Sequence, residues 1–178
     1  MTTRKDLLSF FEKMEAERTE LLGGLKNHSE ETLTKKPAAD AWSVTEVILH
    51  LSKAEEGALK YMQVKLKHGG HRKASFAASL KQRFLNLAIT LPFKYKAPNV
   101  IKLDEGSTSF GEAVENWNAI RLELKSEYQS VEESLIDHEL FKHPVAGKLS
   151  IMQSVKFMRQ HVLRHSGQIE RTLQKVSA

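Results

Sequence analysis

The stretch that decides the fold is "WSVTEVILHLSKAEEGALKYM", residues Trp42–Met62. Ser43 is followed three positions later by Glu46, which is the spacing of a helix-capping box, and Trp42 and Val47 are placed as a hydrophobic staple. Apolar residues then recur every three or four positions, which indicates one buried helix face. The members of this stripe are Val44, Val47, Leu51, Ala54, Ala58 and Tyr61. The pattern predicts a helix that begins after Ser43 and ends before the Gly69–Gly70 pair.

Three other long segments have the same periodicity. The first runs from about Lys5 to Lys26, the third begins at Ser109 and the last begins at Ser150. Ser109 and Ser150 each have a glutamate or glutamine three positions on, so both predict capping boxes. No segment combines strand alternation with a hairpin turn. We therefore expect "DHELFKHPVAGKL", between the third and last helices, to be a loop.

Four amphipathic helices bury their apolar stripes most simply against one another. The sequence therefore predicts an all-α fold, a four-helix bundle, as a single domain over residues 1–178. The connection between the second and third helices is about forty residues long, so a long crossover is expected there. Within it we expect a shorter helix, roughly Ser75–Thr90, and then an extended segment imposed by Pro92 and Pro98.

The composition excludes several classes of protein. The chain contains no cysteine, which removes disulfides, cysteine-based zinc sites and thiol nucleophiles. Its most apolar stretch, "FLNLAITLPF", is half the length of a membrane span. The first residues lack the apolar core of a secretory signal. We expect a soluble, cytoplasmic protein with no membrane partner.

The net charge of +5 raises the question of nucleic-acid binding. The excess of positive charge lies between Lys60 and Lys102. This segment has few aromatic residues and no recognised binding module, so a solvated basic face is the favoured interpretation. Nucleic-acid binding through this segment remains a minor alternative.

Two histidines, His161 and His165, lie four residues apart in the last predicted helix. At about 100° per residue, His165 falls near the centre of the apolar stripe and His161 on its flank. Side chains at this spacing have Cβ atoms about 5–6 Å apart, which is close enough to share one ion. His50 flanks the stripe of the second helix. Three histidines are thus predicted to face the bundle interior from two helices.

Three neutral imidazoles form a chemically plausible metal site. They bind Zn²⁺, Ni²⁺, Fe²⁺ or Cu²⁺ without burying negative charge, with manganese as a further candidate. Three protein nitrogens leave a position open for water or substrate, as in catalytic sites, and a bound water would be acidified. The alternative is helix-surface or hydrogen-bonded core histidines. The H-E-x-x-H signature of metalloproteases is absent.

The other histidines are predicted in loops or at a helix end, without a site role. They are His28, His68, His71, His138 and His143.

Two charged residues are candidates for a supporting role. Arg121 falls inside the apolar stripe of the third helix. It either extends to the bundle end, pairs with a carboxylate such as Glu46, or binds an anionic group of a substrate. Glu46 lies one turn before His50. It either caps its helix, which is favoured, or accepts a hydrogen bond from an imidazole N–H.

The chain resembles the DinB-like superfamily in four stretches. In "AWSVTEVILHLSKAEEG", Trp-Ser precedes a helix that carries a histidine. In "HPVAGKLSIMQSVKFMRQHVLRHSGQIERTL", a His-Pro, a Gly, a capped helix and H-x-x-x-H-x-x-Q-I follow in the family's order. "KYKAP" and "SFGEAVENWNAIRLEL" are also similar. The resemblance covers nearly the whole chain.

This resemblance implies that the metal ligands are His50, His161 and His165. It implies a four-helix bundle with an up-down-down-up path, a divalent metal, often zinc or nickel, and in many members a homodimer. Members of the family resemble transferases that use bacillithiol, mycothiol or glutathione-like thiols, or metal-dependent hydrolases of the YfiT-like type. We therefore expect a metal-dependent enzyme that activates a low-molecular-weight thiol or water toward a small-molecule substrate. A non-enzymatic metal-binding role in stability or stress sensing is the alternative.

Overall fold

The computed structural model of the protein describes residues 2–69, 72–74, 108–143 and 147–177. Within these ranges the chain is mostly helical, so the predicted all-α fold is confirmed. The helices are α1 (Arg4–Leu25), α2 (Glu30–Thr34), α3 (Val44–His68), α4 (Phe110–Ser130) and α5 (Ile151–Val176). A short 3₁₀-helix, Glu133–Leu135, and the strands β1 (Glu139–His143) and β2 (Gly147–Ser150) lie between α4 and α5.

Some predictions fall outside the described residues. These are the helix expected near residues 75–90, the extended segment with Pro92 and Pro98, and most of the basic segment between Lys60 and Lys102.

The four long helices begin where the sequence provides capping boxes. The boxes predicted at Ser43, Ser109 and Ser150 are present, and Thr3 forms another with Asp6. In the box of α3, the backbone N–H of Glu46 donates to Ser43 Oγ, and Glu46 Oε2 accepts from the backbone N–H of Ser43 at 2.8 Å. Because each box fixes where its helix begins, it also fixes which side chains of that helix turn inward.

Hydrogen bonds between helices show that α3 and α4 run parallel. Asn116 donates to Ser52, and Gln63 donates to Glu127. The residue numbers therefore rise together along both helices. Parallel neighbours cannot be joined by a tight turn, which explains the long crossover between them.

The two terminal helices run in the opposite direction. Arg18 of α1 bonds Asn118 of α4, whereas Arg4 bonds the backbone oxygen of Val131, so residue numbers rise along α1 as they fall along α4. The backbone N–H of Thr2, at the start of α1, donates to Asp137, close to where α5 begins. These contacts give the up-down-down-up path.

The core consists of two apolar clusters. The first contains Leu7, Phe11, Leu124 and Met158 among others. The second contains Leu25, Val47, Trp117 and Ile169 among others. No helix in the described ranges is long and apolar enough to cross a membrane.

The buried face of α3 is wider than the predicted stripe. Ile48, Leu59 and Met62 are also buried, whereas Ala54 and Tyr61 are only partly so. The reason is that α3 packs against both α4 and α5.

The segment predicted as a loop forms a β-hairpin, so the prediction of no hairpin is wrong. β1 and β2 pair antiparallel, with Phe141 opposite Leu149 and His143 opposite Gly147. An irregularity between Glu139 and Phe141 interrupts the pairing. Because each strand is short and the register shifts, the alternation that identifies strands never develops in the sequence.

Candidate metal centre

Three histidines from two helices converge at one point of the bundle. α3 supplies His50, and α5 supplies His161 and His165. The Nε2 atom of His161 lies 3.1 Å from Nε2 of His50 and 3.1 Å from Nε2 of His165. The candidate ligand atoms all lie within 4.8 Å of one another. Among the described histidines, aspartates and glutamates, no other group of three lies close enough to hold an ion.

The site is buried but has one more accessible member. His50 is 6% exposed and His165 is 8% exposed, whereas His161 is half-buried. The helical phase explains the difference, because His165 lies at the centre of the buried face of α5 and His161 on its flank.

The three imidazoles are neutral at physiological pH. Burial lowers the pKa of His50 to about 4. Burial, with the nearby His50, lowers the pKa of His165 to about 4. Burial also holds the pKa of His161 well below its usual value, and the proximity of His165 and His50, which disfavours a second positive charge, acts in the same direction. Metal binding near pH 7 therefore has no imidazolium proton to displace.

The nitrogens on the far side of the rings differ in their partners. Nδ1 of His165 lies 2.9 Å from Oε1 of Gln168, one turn further along α5. Since an amide oxygen only accepts, this contact is a hydrogen bond when His165 carries its proton on Nδ1, the tautomer that leaves the lone pair of Nε2 facing the site. Nδ1 of His50 is buried and has no hydrogen-bond partner among the described residues.

Aromatic side chains form the walls of the site. The ring centroid of Trp42 lies 4.8 Å from that of His50 and 6.5 Å from that of His165. Phe157 stacks on His161 at 5.6 Å. These rings pack against the imidazoles and restrict their orientation.

The hairpin adds a fourth histidine beside the walls. The ring of His143 contacts Phe157 edge-on at 4.3 Å, and burial lowers its pKa to about 4. His143 was predicted to lie in a loop without a site role. The structure instead places it next to an aromatic wall, although it is not one of the three convergent ligands.

The donor set fits a first-row divalent metal ion. Zinc–imidazole bonds are about 2.0–2.1 Å long, so two nitrogens on a tetrahedral ion lie roughly 3.3 Å apart. The two contacts of 3.1 Å are close to this spacing. Three nitrogen ligands would leave one tetrahedral position open. The chemistry of the donors and their convergence therefore suit a metal with an exchangeable fourth ligand.

Arg121 lies in a different cluster. Its Nε and Nη2 atoms donate to both carboxylate oxygens of Glu55, and its Nη1 atom donates to Glu15. Trp117 Nε1 donates to the same Glu55 at 2.8 Å. Arg121 is only 2% exposed. These contacts favour the interpretation of Arg121 as a paired core residue over that of a substrate-binding cation, with Glu55 and Glu15 rather than Glu46 as its partners.

Glu46 acts as a helix cap. One of its carboxylate oxygens accepts the backbone N–H of Ser43, and the other pairs with Lys36 at 2.8 Å. Both oxygens therefore have partners other than the imidazoles. The favoured capping interpretation agrees with this geometry.

Sequence reasoning missed the two closest supports of the site, Trp42 as an aromatic wall and Gln168 as a hydrogen-bond acceptor. Gln168 follows His165 by three residues, and side chains at this spacing on a helix are neighbours. The contact between Gln168 and His165 could therefore have been predicted from this spacing. The staple pattern predicted that Trp42 packs onto α3, but it did not predict that Trp42 contacts the imidazoles.

Comparison with known proteins places this geometry in a family. The model of the DinB superfamily matches residues 13–169, a range that includes the three convergent histidines. An uncharacterised protein of Bacillus subtilis (strain 168), YuaE, is 27% identical over 159 residues, covering 89% of this chain and 94% of that protein. Since the family model spans most of the chain, the protein belongs to the DinB superfamily.

Proposed function

We propose that the protein binds one divalent metal ion through His50, His161 and His165 and is a metal-dependent enzyme. The observation that carries this proposal is the convergence of three neutral imidazoles within 4.8 Å at a largely buried site. The family resemblance favours zinc or nickel, which imidazole nitrogens bind well, with iron or manganese as weaker candidates.

The ligand set favours acidification of a bound molecule. A bound ion would act as a Lewis acid and lower the pKa of a water or thiol in its open position. The three histidines are neutral ligands, so the complex with a divalent ion would keep a formal charge of +2, which favours loss of a proton from the bound molecule. Trp42 and Phe157 pack against the imidazoles, and we expect them to keep water from those ring faces, which would strengthen electrostatic interactions inside the site.

The absence of cysteine in the chain bears on the reaction class. A sulfur nucleophile would have to be an added low-molecular-weight thiol, because the protein has none of its own. We propose a thiol-dependent S-transferase or a hydrolase, acting on a small molecule that enters on the side of half-buried His161. The proposed setting is the cytoplasm, where such thiols are kept reduced.

The test uses metal-loaded and chelator-stripped protein with a panel of electrophiles. Each electrophile is assayed without a thiol and with bacillithiol, mycothiol or glutathione. Hydrolysable esters are included in the panel to test for hydrolysis. We expect turnover that requires metal, disappears in His165→Ala and persists in His68→Ala, which changes an exposed histidine of α3. Turnover that survives both chelation and His165→Ala would contradict the proposal. Metal binding without any turnover would instead favour the non-enzymatic alternative.

The family resemblance further suggests a homodimer. Light scattering on the purified protein would give a mass of twice the 20.2 kDa chain if this is right. A monomeric mass would exclude the dimer without affecting the metal site.

A further inference from the structure

We propose that Gln168 is a positioning residue of the metal centre. Gln168 holds the proton of His165 on Nδ1, so that Nε2 of His165 is unprotonated and oriented for a metal before the metal binds. The inference rests on the proposed metal-binding function and adds a named residue to it. Gln168 would not itself bind the metal or a substrate. Its effect is exerted through the imidazole of His165.

The geometry of α5 supports this role. Gln168 follows His165 by one helical turn, and its Oε1 atom lies 2.9 Å from Nδ1. A neutral imidazole carries a single N–H, so a proton held on Nδ1 leaves Nε2 unprotonated. That Nε2 atom is one of the three that converge. The hydrogen bond therefore orients the ring and selects the tautomer that a metal needs.

The contacts between the imidazoles also support this role. Each 3.1 Å contact between two Nε2 atoms requires a proton between them. In the contact with His165 this proton must come from His161, because Gln168 leaves none on Nε2 of His165. One N–H of His161 cannot lie along both contacts at once. A proton on Nε2 of His50 does not help, because a protonated Nε2 of His161 cannot accept it. A cation in place of the proton would satisfy all three nitrogens.

His50 provides an internal comparison. Its Nδ1 atom is buried and has no hydrogen-bond partner among the described residues. Among the described residues, His165 therefore has a hydrogen bond that would select its tautomer, whereas His50 has none on that side.

The experiment measures zinc affinity by competition with a chromophoric chelator in wild type, Gln168→Leu, Gln168→Glu and Gln174→Leu. Gln174 is exposed on the same helix and is the matched control. We expect Gln168→Leu to weaken binding ~10–100-fold. Gln168→Glu, which keeps an acceptor, should bind at least as tightly as wild type, and Gln174→Leu should bind as wild type. Equal affinity of Gln168→Leu and wild type, or a loss in Gln168→Glu as large as that in Gln168→Leu, would overturn the inference.

A second readout needs no metal. Nitrogen-15 NMR of the metal-free protein reports which nitrogen of His165 carries the proton, and circular dichroism checks that each variant is folded. We expect protonated Nδ1 in wild type and a mixed or reversed tautomer in Gln168→Leu. If wild type binds no zinc, the metal-binding proposal fails, and this readout still decides the role of Gln168. The same tautomer in both proteins would overturn it.

Discussion

His161 occupies the central position among the residues of the site, because its Nε2 atom contacts the imidazoles on both sides. It is also the most accessible of the three. At the scale of single residues, the helical phase predicted that His50, His161 and His165, of the eight histidines, face the bundle interior, and the structure brings these three together. It could not identify Trp42 as a wall or His143 as a neighbour. Those contacts depend on how a loop and a hairpin fold back onto the helices, which periodicity does not encode.

Trp42 should report on metal binding. Its ring lies 4.8 Å from that of His50, and paramagnetic ions quench nearby indoles. We expect Ni²⁺ or Cu²⁺ to quench tryptophan fluorescence strongly, whereas Zn²⁺, which has a filled d shell, should quench it little. The titration is repeated on Trp42→Phe, which retains Trp117 as the other tryptophan. Quenching of the same depth in Trp42→Phe, or in His165→Ala, would show that the signal comes from elsewhere.

At the scale of elements, α3 contributes to two clusters, the three-histidine site and the Glu55–Arg121 ion pair, from two different faces. His50 and Glu55 are five residues apart, which places them roughly 140° apart around the helix at 100° per residue. His50 meets α5, whereas Glu55 meets Arg121 and Trp117 of α4. The capping box and apolar stripe predicted this helix and its phase. They did not predict Glu55 as a buried residue, because its partner comes from a helix more than sixty residues away in the chain.

Loss of Glu55 should destabilise the bundle severely. Glu55→Leu removes two hydrogen bonds and one counter-charge from fully buried Arg121, and breaking such a pair typically costs ~3–5 kcal/mol. Urea unfolding followed by circular dichroism measures the change in the free energy of unfolding. The matched control is Glu56→Leu, which removes a partly exposed pair with Lys60 and should cost less than about 1 kcal/mol.

The double variant Glu55→Leu/Arg121→Met sharpens this test. Replacing a buried ion pair by apolar side chains is often neutral, so we expect it to recover a large part of the lost stability. If the double variant is as unstable as the sum of the two single variants, burial of an unpaired charge is not the cause.

At the scale of the whole molecule, the four apolar stripes and the long second connection were sufficient to predict the bundle. The short hairpin was not predictable in the same way. Leu140 and Leu149 are buried in its strands, yet each strand has too few residues for an alternating pattern to stand out. Its stability depends on packing against helices that are distant in sequence, which local patterns do not report.

The metal-free protein should lose stability as the pH falls from about 6.5 to about 4. The unfolded chain binds protons at histidine near pH 6.5, whereas in the folded chain the pKa of His50 and that of His165 are about 4. Between these values the unfolded state holds more protons, so acidification favours unfolding by up to ~3 kcal/mol for each histidine. Thermal unfolding between pH 7.5 and pH 4 measures the effect. In a variant with all three site histidines replaced by Gln, the slope should be clearly shallower, and an unchanged slope would contradict the assignment.

The most direct test of the metal centre is its stoichiometry. Tag-free protein is dialysed against Zn²⁺ or Ni²⁺ and then against metal-free buffer, and its metal content is measured by mass spectrometry. We predict about one ion per chain in wild type and in His68→Ala, and close to none in the His50→Ala/His161→Ala/His165→Ala variant. No retained metal in wild type, or equal retention in the triple variant, would contradict the central claim that these three histidines form a metal site.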